Sequence, residues 1–224
     1  NTNIKEESIR EKSELVIESI RELRRLLEII PDNKIKEVFH GYSYRNWPEL
    51  KVLGPTETFY NTLFPKDLSL KNLILEETID YLTESNIKKR KANLELFNLE
   101  ENPCKYLKDD ETARLTPTNK ASIIFSIDKD NKRFLITGDA RISSFKAIPD
   151  WENELKDIYW LKVPHHGSDN NISSEIINVM RPQYSDNTGD KYQNNPVLQC
   201  ISRNSRSKKD TRSTKFSGDL QFEI

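Results

Sequence analysis

The sequence predicts an α/β fold, and three observations carry that expectation. Apolar runs of strand length, "ASIIFSID" (121–128), "KRFLITGDA" (132–140) and "YWLKVP" (159–164), are each closed by turn-forming residues. Segments with helical spacing, "DWENELKDI" (150–158) and "SSEIINVMRP" (173–182), alternate with them. Strand, helix, strand, helix in that order is the pattern of a layered α/β sheet. A chain of 224 residues is also long enough to bury a substantial core.

Taken in order, residues 6–30 place Ile9, Val16, Ile20, Leu23, Leu27 and Ile30 at three- and four-residue steps among Glu and Arg, and Pro31-Asp32 ends the pattern. We read 1–34 as an amphipathic helix whose stripe packs on its own domain, with a partner helix as the alternative. "KIKEVFHGY" (34–42) and the stretch from Leu50 to Gly54 read as short strands, and Gly54-Pro55 signals a turn after which Thr56 or Thr58 caps a helix. Residues 70–99 read as mostly helical, with the basic run 88–91 on a solvated face or against phosphate. Pro103, Asp109, Asp110 and Pro117 mark 101–118 as a loop. The runs 121–128 and 132–140 flank the polar "KDN", so they form a hairpin. Ser173 or Ser174 caps the helix that Pro182 follows. The tail segments "NPVLQCISRNSR" (195–206) and "GDLQFEI" (218–224) read as two more strands around a basic loop at 203–215.

Composition narrows the function. The 35 basic and 36 acidic residues leave a formal net charge of -1, so no global field steers the chain to nucleic acid or an anionic membrane, and any basic surface is local. No apolar run approaches the roughly 20 residues that span a bilayer. Two cysteines, Cys104 and Cys200, stand far apart in sequence and form neither a disulfide framework nor a metal knuckle, which suits a reducing, cytoplasmic setting. The chain opens on Asn1 and its single methionine is Met180, from which we expect a piece of a longer product.

The chemistry concentrates in two places. Asp139 follows Gly138 at the end of one apolar strand, and His165 and His166 precede Gly167 at the end of the next. A carboxylate and an imidazole at strand ends are the ligand types of zinc, iron or manganese. Each signal alone has a plainer reading, a turn aspartate or a satisfied loop histidine. Ser168 and Asn171 either hydrogen-bond a phosphate or the neighbouring imidazole, or cap the next helix, and Asn119 either orients a loop or merely turns the chain.

Together, "RFLITGDA" and "LKVPHHGS" are more specific. With Asn119, Ser122, Asp139, His165, His166, Gly167 and Ser168, they resemble the C-terminal half of the metallo-β-lactamase fold hydrolases. The branch most similar contains the hydrolase domain of bacterial DNA-uptake competence channels. "KVLGPT" (51–56) looks like that branch's strand before its loop, and "NTGDKYQNNP" (187–196) is loosely like its late glycine-and-proline segment. The resemblance spans 35–224 and implies a partial αββα sandwich domain. It implies two divalent ions, zinc or manganese, bridged by Asp139, with one of His165 and His166 as the last metal ligand, His166 being favoured, and the other either supporting that ligand from behind or facing substrate. It further implies a metal-activated water, a nuclease or phosphodiesterase activity, and DNA or another phosphodiester as partner, with "KKRK" (88–91) and "RNSRSKKDTR" (203–212) against the phosphates.

The sequence departs from the family in one respect: its leading His-x-His-x-Asp-His motif is absent, and His40 stands alone in "VFHGY". Asp139 with His165 and His166 supplies at most three ligands, fewer than two ions need. We therefore expect the first half of the site to lie outside these 224 residues or on a companion chain. The alternative is a catalytically degenerate scaffold or sensor subunit of a larger assembly, such as a defence system.

Overall fold

The fold was analysed in a computed structural model that describes residues 14, 17–18, 21–22, 25–26, 28–31, 36–65, 102–107, 116–188, 195–204 and 210–213. Seven strands form one sheet whose spatial order is the order in sequence: β1 (Ser43–Tyr44), β2 (Trp47–Gly54), β3 (Ile124–Lys129), β4 (Lys132–Ile136), β5 (Trp160–Lys162), β6 (Tyr184–Asn187) and β7 (Asp210–Ser213). Strands β1 to β4 pair antiparallel, and β4 to β7 pair parallel. The expected hairpin is present: β3 and β4 meet at Asp130 and Asn131, both with positive φ, a pairing Asp and Asn tolerate and that matches strand twist.

Parallel neighbours need crossovers, and helices supply them. Helices α1 (Glu57–Leu63) and α2 (Pro117–Lys120) precede the hairpin. Helices α3 (Ile142–Lys146) and α4 (Trp151–Glu154) link β4 to β5, α5 (Ser174–Met180) links β5 to β6, and α6 (Pro196–Asn204) links β6 to β7. Crossovers of one hand between strands in sequential order lay their helices on one sheet face. Side-chain burial follows. Leu135, Leu161 and Val163 join Phe145, Ile176, Ile177, Met180, Val197 and Ile201 in one core cluster, all fully buried. The alternate row in register, Ile127, Phe134, Trp160 and Tyr184, is only half-buried.

Of the two caps the sequence leaves open at each helix, Thr56 caps α1 by accepting from the Phe59 N–H, and Ser173 caps α5 by accepting from the Ile176 N–H. Four expectations need correction. Residues 36–42 form no strand. The 101–118 loop contains a short 3-10 helix, Pro103–Tyr106, besides the start of α2. The segment 195–206, read as a strand, is α6 over Pro196–Asn204, and β7 lies inside the stretch read as a loop. The cause is Asn195-Pro196, a cap followed by proline at the first helical position: Asn195 Oδ1 accepts from the N–H groups of Val197 and Leu198 at 2.9 and 3.3 Å.

The fourth correction concerns the cysteines. Cys104 and Cys200, 96 residues apart in sequence, are disulfide-bonded with Cα atoms 4.8 Å apart, joining the 3-10 helix to α6. Separation along the chain is a poor guide because loop-closure cost grows only slowly with length. The inference of a reducing compartment drawn from unpaired cysteines therefore loses its basis. Among the described residues, no helix is long and apolar enough to cross a membrane. In the N-terminal segment the described residues from 14 to 29 are helical and Ile30 is exposed; Ile9, Val16, Ile20, Leu23, Leu27, the 70–99 segment and 218–224 lie outside the described residues.

Candidate functional site

The carboxyl ends of β4, β5 and β6 lie side by side, the position where parallel sheets build sites. Past β4, the buried Thr137 donates from Oγ1 to the Lys162 carbonyl at 2.8 Å, stitching β4 to β5. Gly138 then takes φ +52, and a Cβ there would stand 3.1 Å from the Ser122 Cβ. Only glycine meets both demands without strain. Ser122 itself is set by α2, since its N–H donates to the Asn119 carbonyl at 3.1 Å, and its Oγ accepts from the Asp139 N–H at 3.1 Å. Asn119 thus acts here through its backbone.

Past β5, Val163 donates to the Asp186 carbonyl of β6, and the chain turns through Pro164–Gly167. His165 and His166 both sit in the left-handed region, with φ of 42° and 53°. Consecutive non-glycine residues in that region are rare and persist only where surroundings impose them. Three hydrogen bonds do so. The His165 N–H donates to the Gly138 carbonyl at 3.1 Å, the Ser168 N–H donates to the His165 carbonyl at 3.1 Å, and the Asn195 side chain donates to the Gly167 carbonyl at 2.9 Å.

This turn brings His165, rather than His166, to the carboxylate. His165 Nδ1 is 3.9 Å from Asp139 Oδ2, with the imidazole 15% and the carboxylate 41% exposed. The His166 ring stands nearly perpendicular, 6.0 Å away between centroids, and its Nδ1 meets the Thr188 carbonyl. Ser168 is buried behind the turn, and its carbonyl accepts from the Asn171 N–H at 3.2 Å. Asn171 is fully buried: Nδ2 donates to the carbonyls of Asp139 and Ala140, each at 3.0 Å, and Oδ1 accepts from Arg141 Nη1 at 2.9 Å. It ties the aspartate loop to the histidine loop.

Sequence reasoning missed three contributors. Arg141 is fully buried and completes the Asn171 link. Lys162, half-buried on β5, reaches the Gly138 carbonyl with Nζ at 3.3 Å; burial pushes its pKa down, partly offset by the Asp139 charge. Asn187, buried at the end of β6, has an amide with no hydrogen-bond partner on either atom among the described residues, and its Oδ1 lies 3.5 Å from where a Gly167 Cβ would be. The signal for Lys162 was available: it stands three residues before His165 at the end of an otherwise apolar strand. Asn187 and Arg141 gave none.

For a metal, the donor set is partial. Among the described residues no group of three or more His, Cys, Asp or Glu side chains converges to hold an ion. Asp139 and His165 offer an oxygen and a nitrogen 3.9 Å apart, two of the roughly four donors a zinc ion takes. No family model, curated protein or solved structure matches this chain.

Proposed function

We propose that the chain is part of a metal-dependent hydrolase of the metallo-β-lactamase type, its sheet forming one layer of an αββα sandwich and its substrate a phosphodiester such as DNA. The observation that carries the reading is the Asp139–His165 pair, an acidic oxygen and an imidazole nitrogen 3.9 Å apart at the carboxyl ends of adjacent parallel strands. In this reading Asp139 and His165 hold one edge of a zinc or manganese site, His166 lies beside it, and the other ligands come from residues beyond those described or from a companion chain. A bound divalent ion would supply a hydroxide at neutral pH and polarise the phosphoryl oxygen. The protein's part is to fix the pair, through Ser122, the Gly138 carbonyl and Asn171.

The test is metal content of the purified full chain by elemental analysis, with turnover of bis(p-nitrophenyl) phosphate in zinc or manganese. Bound metal and turnover, both lost in Asp139→Asn, are expected; a metal-free protein that stays inactive on addition of either ion refutes the reading. The second reading, a degenerate scaffold or sensor subunit, is favoured by the lack of a third converging donor among the described residues. It predicts that metal-free outcome.

A further inference from the structure

Lys162 occupies the last position of β5, where side chains on either side of it, Leu161 and Val163, point into the helical core. Its own side chain therefore lies on the other sheet face and runs along it to the Gly138 carbonyl, 3.3 Å from Nζ. That carbonyl, on the residue before Asp139, also takes the His165 N–H, so Lys162 and His165 meet at one backbone oxygen beside Asp139. Taking a cation's charge out of water is unfavourable unless it is paired or hydrogen-bonded. Asp139 is close enough to act on Lys162 electrostatically, yet no carboxylate among the described residues forms a salt bridge with it, and the Gly138 bond uses one of the three N–H groups of an ammonium.

A cation beside a candidate hydrolytic site, with N–H groups beyond the one it spends on Gly138 and no carboxylate among the described residues in contact, is arranged to receive an anion. We propose that Lys162 is a substrate-positioning residue that holds a non-bridging oxygen of a phosphoryl group placed against Asp139 and His165. The proposal rests on the hydrolase reading and deepens it, because a fixed positive charge at this point selects an anionic phosphoryl substrate over an uncharged ester, amide or lactam. The competing role is structural, with the ammonium merely supporting the Gly138 carbonyl.

Two measurements separate these. Inorganic phosphate is titrated into the full chain while the backbone amide signals of Gly138 and His165 are followed by NMR, in wild type, Lys162→Met and Lys162→Arg. Shifts in wild type and in the Arg variant, absent in the Met variant, are expected. No shift in wild type, or equal shifts in the Met variant, overturns the proposal. In the second measurement, chain supplied with zinc or manganese is assayed on bis(p-nitrophenyl) phosphate and on p-nitrophenyl acetate. Lys162→Met should lose about 10- to 100-fold in kcat/KM on the diester, the effect of one charge-assisted hydrogen bond, and less than about 2-fold on the uncharged ester, with Lys162→Arg recovering part of the loss. Equal losses on both substrates mean a structural role and overturn it. Phosphate-dependent shifts in a wild type that turns over neither substrate would sink the hydrolase reading alone.

Discussion

Asn171→Ala is the sharpest test of how the two loops are held. The side chain makes three buried hydrogen bonds, donating to the Asp139 and Ala140 carbonyls at 3.0 Å each and accepting from Arg141 at 2.9 Å. Truncation strands two carbonyl oxygens and one guanidinium N–H, and a buried group left unsatisfied costs about 1–3 kcal/mol, more where it is charged. Rearrangement recovers part of a three-fold loss, so the expected cost is about 3–5 kcal/mol, a large share of the roughly 5–15 kcal/mol that holds a typical domain together. Urea denaturation followed by circular dichroism measures it. Arg141→Met alone and combined with Asn171→Ala closes a double-mutant cycle, in which the pair should couple by more than about 1 kcal/mol. A cost below about 1 kcal/mol for Asn171→Ala, or additive single effects, would refute the view that this amide fixes the Asp139–His165 spacing.

Two further outcomes are expected. Replacing Cys104 and Cys200 with alanine should lower stability by up to about 4–5 kcal/mol, the chain-entropy value for a ring near 100 residues, read as a fall in the urea midpoint that reductant reproduces in wild type but not in the variant. The Asp128 carboxyl is opposed by burial but is held below its ordinary value by hydrogen bonds from Arg133, at 2.8 and 3.0 Å, and from Lys51, at 3.1 Å. A depressed folded-state value means the contribution is fully present above the unfolded carboxyl pKa, near 3.9, and fades as pH falls through the lower folded value. Asp128→Asn should therefore cost a few tenths to about 1 kcal/mol at pH 7 and less at pH 3; an equal offset at both pH values would contradict the assignment.

Local signals reported the elements around the site well. Alternation and the "KDN" turn identified the β3–β4 hairpin, and Thr56 and Ser173 marked helix starts, because each depends on bonds made within a few residues. The approach of Asp139 to a histidine was also legible, since Gly138 and Gly167 punctuate the ends of adjacent parallel strands. What the sequence did not disclose is decided by long-range packing. Nothing local distinguishes His165 from His166; the Gly138 carbonyl, which takes the His165 N–H, and the Thr188 carbonyl, which meets the His166 ring, divide their roles. Asn171 read equally as a ligand contact or a cap, and only the position of Arg141 and the Asp139 loop shows that it braces both. The α6 segment has apolar residues that suit strand or helix, and the Asn195-Pro196 cap, though visible, was outweighed by them.

The sulfur bridge also partitions the molecule topologically. Cys104 to Cys200 is a closed covalent circle on which Asn119, Asp139, His165, His166, Ser168 and Asn171 all sit, while β1 and β2 enter from outside it as a tail laid against the rim at β3. A protease that clips the circle once linearises it yet leaves every one of these side chains on a single molecule. One that clips between β2 and Cys104 severs the tail from the circle, leaving the sheet's own hydrogen bonds and packing as its attachment. Fragment patterns with and without reductant would thus read out which part of the sheet is fastened by chemistry and which by pairing alone.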